Sequence, residues 1–302
     1  MEKKHRERFM ESYLILFCCM LVNSFNTVLS KRFSRSMNSD MLHFIEYNFL
    51  NALIASAFLF AMNGFSMKMN LPTVLYSLAY AAVVILAVSL NVLALKHTTV
   101  YLVGLTSLLG SLIVSTLFGI IVLGDPLTPQ VVISVILMIS AVALPYLQDI
   151  KSGECGNILI PVLYFLIGGA SNIVTKLFTL DPRVTDSRSF FVMTNIVIVA
   201  VSAVVMAVFL SIKPSRRSDA LHAFTPREIG NIAARTALSN VSSVLGIIAI
   251  AGMTLGAYTV TSSSFAIFSG AILSAFVFRE KLRIATCLSV VLAAAAVVIS
   301  AT

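Results

Sequence analysis

Charge is scarce in this 302-residue sequence: 11% of its residues are Asp, Glu, Lys or Arg, against 58% hydrophobic. A soluble domain carries about 25% charged residues, and a water-facing shell cannot be assembled from so few. That scarcity excludes an ordinary soluble globular protein, and it makes length a measure of helix number, because lipid solvation needs no charged shell. Cysteine is scarce as well. Cys18, Cys19, Cys155 and Cys287 form no CxxC pair and have no histidines at metal spacing, so neither a disulfide framework nor a zinc site is expected. HExxH, GxSxG, a P-loop and a phosphate-cradling glycine run are all missing, and with them the common enzyme signatures. An intramembrane enzyme with dispersed catalytic groups stays open as a rival class. So does a channel or scaffold, although a channel assembles a ring of like groups and the polar residues here are diverse. No hydrophilic stretch is long enough for a folded soluble domain; the longest runs from about Ser211 to Glu228.

The formal charge of +8 comes from 21 basic and 13 acidic residues. The basic residues gather between apolar runs, at Lys3 to Arg8, Lys31 to Arg35 and Lys213 to Arg217, where they reach anionic head groups. That distribution argues for a bilayer partner and against nucleic acid. Lys3 to Arg8 followed by the apolar Tyr13 to Leu29 reads as a first membrane helix, since no small-residue cleavage site follows.

What the sequence does have is long apolar runs, near 12–30, 42–62, 74–95, 99–123, 129–147, 158–178, 189–211, 229–251, 255–278 and 284–301. Each is close to the roughly 20 residues that span a bilayer. Thr225-Pro226-Arg227-Glu228 offers an N-cap, a first-turn proline and a capping-box glutamate, and Thr128-Pro129 repeats the cap and proline. Only Lys96 and His97 divide the third and fourth runs, and only Gly252 to Thr254 divide the eighth and ninth, so both turns must be tight.

The chain also repeats itself. Leu123-Gly124-Asp125-Pro126-Leu127 aligns with Phe278-Arg279-Glu280-Lys281-Leu282, and in that register Ser107, Ser111, Ser115 and Gly119 fall on Ser262, Ala266, Gly270 and Ser274. Both quartets place small residues at four-residue spacing on one helix face, suited to close helix crossing at a repeat interface. Earlier, Leu29-Ser30-Lys31-Arg32-Phe33 aligns with Val174-Thr175-Lys176-Leu177-Phe178. A repeat of five spans is odd, so its second copy enters the membrane from the opposite side. The expected fold is an all-α integral membrane protein of ten transmembrane helices, built as two inverted five-helix repeats over residues 1–150 and 151–302. A binding site is expected near the midplane between the halves.

At these residues the chain resembles the drug/metabolite transporter superfamily in its ten-helix EamA-like form. The acidic residue closing the fourth and ninth spans, Asp125 and Glu280, carries the resemblance, and Ala266-Ile267-Phe268-Ser269-Gly270 is similar to the signature helix of the small multidrug resistance transporters. The resemblance implies a secondary transporter of the inner or plasma membrane with cytoplasmic termini. Its partners would be a small-molecule substrate and the bilayer, with no cofactor or metal. Proton or ion coupling, and the choice between monomer and homodimer, stay open. Where the family commonly has a proline, Ser111 and Ala266 stand; where the small multidrug pumps have an in-membrane glutamate, this chain has Asn23, Asn26 and Ser30.

Several residues are candidates for substrate contact. Asn23, Asn26 and Ser30 form a polar face on the first span, matched by Ser171 and Thr175 with Asn172 beside them; such a face lines a solute path or bonds neighbouring helices. Asn195 adds an amide on the seventh span. Glu46 lies roughly 7–8 Å inside the second span and either binds a proton or cation or snorkels to water. Tyr76 and Tyr80 share a face of the third span and suit stacking and hydroxyl bonding to a solute. Arg235 lies roughly 9 Å into its run, nearing the middle of a core about 30 Å thick. An unpaired Arg there costs about 3 kcal/mol or more, so its partner is either protein, such as Glu46 or helix-end carbonyls, or the solute. The second choice favours export of an amino-acid-like or other small carboxylated metabolite over efflux of an organic cation.

Overall fold

The computed structural model describes residues 11–23, 25–26, 41–97, 100–126, 128–150, 159–184, 186–212, 224–272 and 284–301. These residues are helical apart from turns. The elements are α1 (Glu11–Asn23), α2 (Met41–Met62), α3 (Leu71–His97), α4 (Val100–Ile121), α5 (Pro129–Ile150), α6 (Leu159–Leu180), α7 (Ser187–Ile212), α8 (Pro226–Ala251), α9 (Leu255–Ile272) and α10 (Ile284–Ala301). The fold is all-α, with no strand among the described residues. Ser30, Ser274 and the Phe278-to-Leu282 motif lie outside the described residues, and for Ser107 and Gly270 only the helical backbone is described.

The helices begin where local chemistry provides acceptors for orphan N–H groups. At α8 the capping box is reciprocal: the Glu228 N–H donates to Thr225 Oγ1 at 3.4 Å, and the Thr225 N–H donates to Glu228 Oε2 at 2.8 Å. Thr128 Oγ1 accepts from the Val131 N–H at the start of α5. Two caps were not named from the sequence, Asn70 before α3 and Asp186 before α7, each accepting a first-turn N–H. Between α8 and α9 only Gly252, Met253 and Thr254 intervene, the tight turn that the hydropathy pattern requires.

Among the described residues, Ile45–Met62, Leu71–Leu90, Leu163–Leu180, Ser187–Ile212 and Pro226–Ala251 are long and apolar enough to cross a membrane; the described apolar parts of α1, α4, α5 and α10 are shorter. On α7, Val204 is 63% exposed, Val208 53% and Ile212 73%. This four-residue spacing makes a continuous apolar stripe that water would penalise and hydrocarbon would not.

The chain condenses into two compact units, each drawing on both sequence halves. One contains residues 1–21, 82–180 and 246–302; the other contains 22–81 and 181–245. In the first unit α4 packs on α6, α4 on α9 and α5 on α10. Its core gathers Leu112, Met138, Val142, Val260, Ala293 and Ala296, each at most 1% exposed. The α4–α6 crossing is set by backbone contact. A Cβ on Gly110 would meet the Phe165 carbonyl oxygen at 1.9 Å, and one on Gly169 would meet the Gly110 oxygen at 2.9 Å. The second unit is built on α2 packed against α7, with Phe190 fully buried and its carbonyl accepting from the Ser77 hydroxyl.

Candidate functional site

Seven of the eight substrate-contact candidates fall in the second unit: Asn23, Asn26, Glu46, Tyr76, Tyr80, Asn195 and Arg235. They divide into separate settings. Tyr47 and Asn51 lie one turn apart on α2 and meet successive residues of α8. The Arg235 guanidinium carbon sits 5.6 Å from the centre of the Tyr47 ring. Next to them Thr236, 1% exposed, donates its hydroxyl to Asn51 Oδ1 at 2.6 Å. Glu46, beside Tyr47 in sequence, is 8% exposed. A cation, an aromatic face, an amide and a buried acid therefore occupy two consecutive turns of α2 and the facing turn of α8. At that distance the ring face attracts the guanidinium as a cation–π partner. The sequence named Arg235 and Glu46; it did not name Tyr47 or Asn51, although their four-residue spacing puts them on one helix face.

The other candidates lie elsewhere. Tyr80 packs in an aromatic group, its ring 5.3 Å from Phe190 and 6.0 Å from Phe191. Asn195 donates to the Phe191 carbonyl of its own helix at 2.8 Å. Asn23, at the end of α1, is exposed, and Asn26 is half-buried.

Tyr76 belongs to a polar cluster at one end of the second unit. Its hydroxyl donates to Asp181 at 3.4 Å, Asp181 pairs with Arg183 at 2.8 Å, and the Asn70 amide donates to the Arg183 carbonyl. Hydrogen bonds from the Arg183 side chain and then its backbone N–H hold the Asp181 carboxyl at about 2. Beside it, Asn63 and Ser189 donate to Asp186 at 2.9 and 2.7 Å, and Arg188 donates to the Met62 carbonyl. Burial raises the Asp186 carboxyl, but bonds from Ser189, Arg188 and Asn63 outweigh it and leave the group below its ordinary range. Both carboxylates stay ionised at neutral pH. Their job here is to tie the α2–α3 connection to the start of α7.

In the first unit, Asn172 donates to Ser111 Oγ at 2.8 Å, and buried Ser115 donates to the Gly169 carbonyl at 3.2 Å. The small face of α4 thus meets α6 through Ser111 and Ser115, whereas Gly119 meets the start of α9: a Cβ there would lie 2.7 Å from Asp125 Oδ2 and 3.2 Å from Leu255 Cβ. On α9 the Ser262 hydroxyl donates within its own helix to Thr259, and the Ala266 carbonyl accepts from Ser269. A buried cation was missed from sequence. Lys176 is 6% exposed, and its ammonium donates to the carbonyls of Ile250 at 2.9 Å and Met253 at 2.5 Å. The repeat alignment contained this lysine but assigned it no role. No cluster able to hold a metal ion occurs among the described residues.

The sequence profile of the EamA-like transporter family matches residues 10–147. No curated protein matches the chain. A protein of known crystal structure superposes on it with a TM-score of 0.69 at 15% identity, over 96% of this chain and 96% of its own. At that identity the likeness concerns the fold alone.

Proposed function

We propose, from the match of residues 10–147 to the EamA-like transporter family of the drug/metabolite transporter superfamily, that this multi-pass membrane protein exports a small carboxylated or amino-acid-like metabolite across the inner or plasma membrane by alternating access. The observation that carries the substrate class is Arg235 set against Tyr47 within α8, a spanning helix. Tyr47 sets an aromatic ring beside the guanidinium. A carboxylate matches the planar donor fork of arginine.

The inverted repeat is part of the same reading. Three helix pairs, α2 with α7, α4 with α9 and α5 with α10, pack together, and in each pair the members hold corresponding places in the two sequence halves. A two-fold axis in the membrane plane would generate this pairing, and it is the symmetry on which two bundles rock around one site.

The test is flux into ATP-free vesicles containing the purified protein. Radiolabelled amino acids and small carboxylates are expected to accumulate when a proton, sodium or solute gradient is imposed, and tetraphenylphosphonium is not. Accumulation of tetraphenylphosphonium alone would transfer the site to organic cations, with Glu46 as the charge partner. An ATP requirement would overturn secondary transport.

A further inference from the structure

The α8–α9 junction is held from two sides by charged groups that the substrate site does not use. From α6, the Lys176 ammonium donates to the carbonyls of Ile250 and Met253, at the last turn of α8 and in the turn after it. From the turn after α4, Asp125 Oδ2 accepts the Leu255 N–H at 2.9 Å, the first residue of α9. A cation thus satisfies orphan carbonyls at a helix C-terminus and an anion satisfies an orphan N–H at a helix N-terminus, the favourable sign at both macrodipoles. The two charges also act on each other electrostatically. Asp125 is delivered by a turn in which Gly124 adopts φ +69°, and the missing side chain of Gly119 leaves the carboxylate its space. Both groups therefore grip one three-residue turn, between a helix that carries Arg235 nearer its start and the helix that follows.

We propose that Lys176 and Asp125 are positioning residues for transport, a paired clamp that fixes the end of α8 and thereby sets how that helix moves during the transport cycle. This rests on the transporter reading but not on the substrate class. A buried lysine could serve stability alone; the clamp makes the further demand that turnover, and not solute affinity, depends on it. A hydrophobic replacement removes the grip, whereas arginine keeps a cation able to reach the same carbonyls. Because each half of the clamp holds the same turn, losing both should cost no more than losing one.

The experiment compares the parent with Lys176→Met, Lys176→Arg, Asp125→Ala and the Lys176→Met/Asp125→Ala double variant, each as monodisperse protein in vesicles. The probe is whichever radiolabelled amino acid or small carboxylate the parent accumulates. Lys176→Met and Asp125→Ala are expected to lower kcat about tenfold with KM changed less than about threefold, the double variant to match the singles, and Lys176→Arg to recover a substantial part of the rate. Parental kcat in either single variant, a change in KM alone, or multiplicative losses in the double variant would overturn the clamp. Should Lys176→Met yield no folded protein, Asp125→Ala and Lys176→Arg are judged by the same criteria. If the parent moves no probe at all, the carboxylate-transport reading fails separately. The clamp is then judged by hydrogen exchange: faster exchange confined to residues 248–258 in the variants supports it, and unchanged exchange there overturns it.

Discussion

Replacing Gly110 by valine is expected to prevent α4 from packing on α6, leaving protein that inserts but does not purify as a stable species. The reason is distance. Even a single Cβ would lie 1.9 Å from the Phe165 carbonyl oxygen, about 1.5 Å closer than ordinary contact begins, and the atoms it meets are backbone. No rotamer change relieves such a clash, so the helices must separate and lose the Ser115–Gly169 and Asn172–Ser111 bonds that depend on their approach. Gly110→Ala is expected to cost about 3 kcal/mol or more, beyond the usual overpacking range of about 1–3, and valine more still. Gly230 supplies the contrast. Nothing lies within 4 Å of a Cβ there, so Gly230→Ala should raise stability by about 0.5–1 kcal/mol through helix propensity. Thermal unfolding followed by size-exclusion chromatography measures both signs. Equal tolerance of alanine at 110 and 230 would contradict the crossing described for α4 and α6.

The second large effect is on transport. Arg235→Gln removes the charge and the fork while leaving a polar group of similar reach, and it is expected to abolish flux of a carboxylated probe in protein that still inserts. Arg235→Lys keeps the charge but neither the planar stack on Tyr47 nor bidentate donation, so intermediate flux is expected, lower by about tenfold to a hundredfold with the loss mainly in KM. Tyr47→Phe keeps the ring and removes only the hydroxyl, and should change flux less than Arg235→Lys does. The measurement is initial rate against probe concentration in vesicles with matched protein content. Normal flux by Arg235→Gln would remove Arg235 from the solute path and leave it a structural residue.

These expectations differ in how far the sequence could have produced them. Helix positions were legible because the solvent for this chain is lipid, which demands unbroken apolar runs, and because Thr225 and Glu228 announce a helix start with local bonds alone. The Gly252-to-Thr254 turn followed from the same arithmetic. The small face of α4 was legible as a period, but a period identifies which residues are small and not which backbone they oppose. Ser111 and Ser115 do meet α6, yet the closest approach is one residue earlier, at Gly110, against a carbonyl that no side-chain pattern encodes. Lys176 was illegible as a buried cation for the same reason: its acceptors are two main-chain oxygens, 74 and 77 residues away. Arg235 was found because depth alone marks a charge as costly, whereas Tyr47 and Asn51 acquire meaning only once α8 faces them.

Alternating access itself is tested most directly at Asn51, half-buried near the middle of α2 and bonded to Thr236 beside Arg235. In a chain with Cys18, Cys19, Cys155 and Cys287 replaced by serine, Asn51→Cys provides a single thiol that a membrane-impermeant maleimide can reach from either face of sealed, oriented vesicles. A solute site that opens to each side in turn predicts slow labelling from both faces, with a saturating carboxylated probe slowing both. Labelling from one face only, from neither, or at a rate the probe does not change would contradict it.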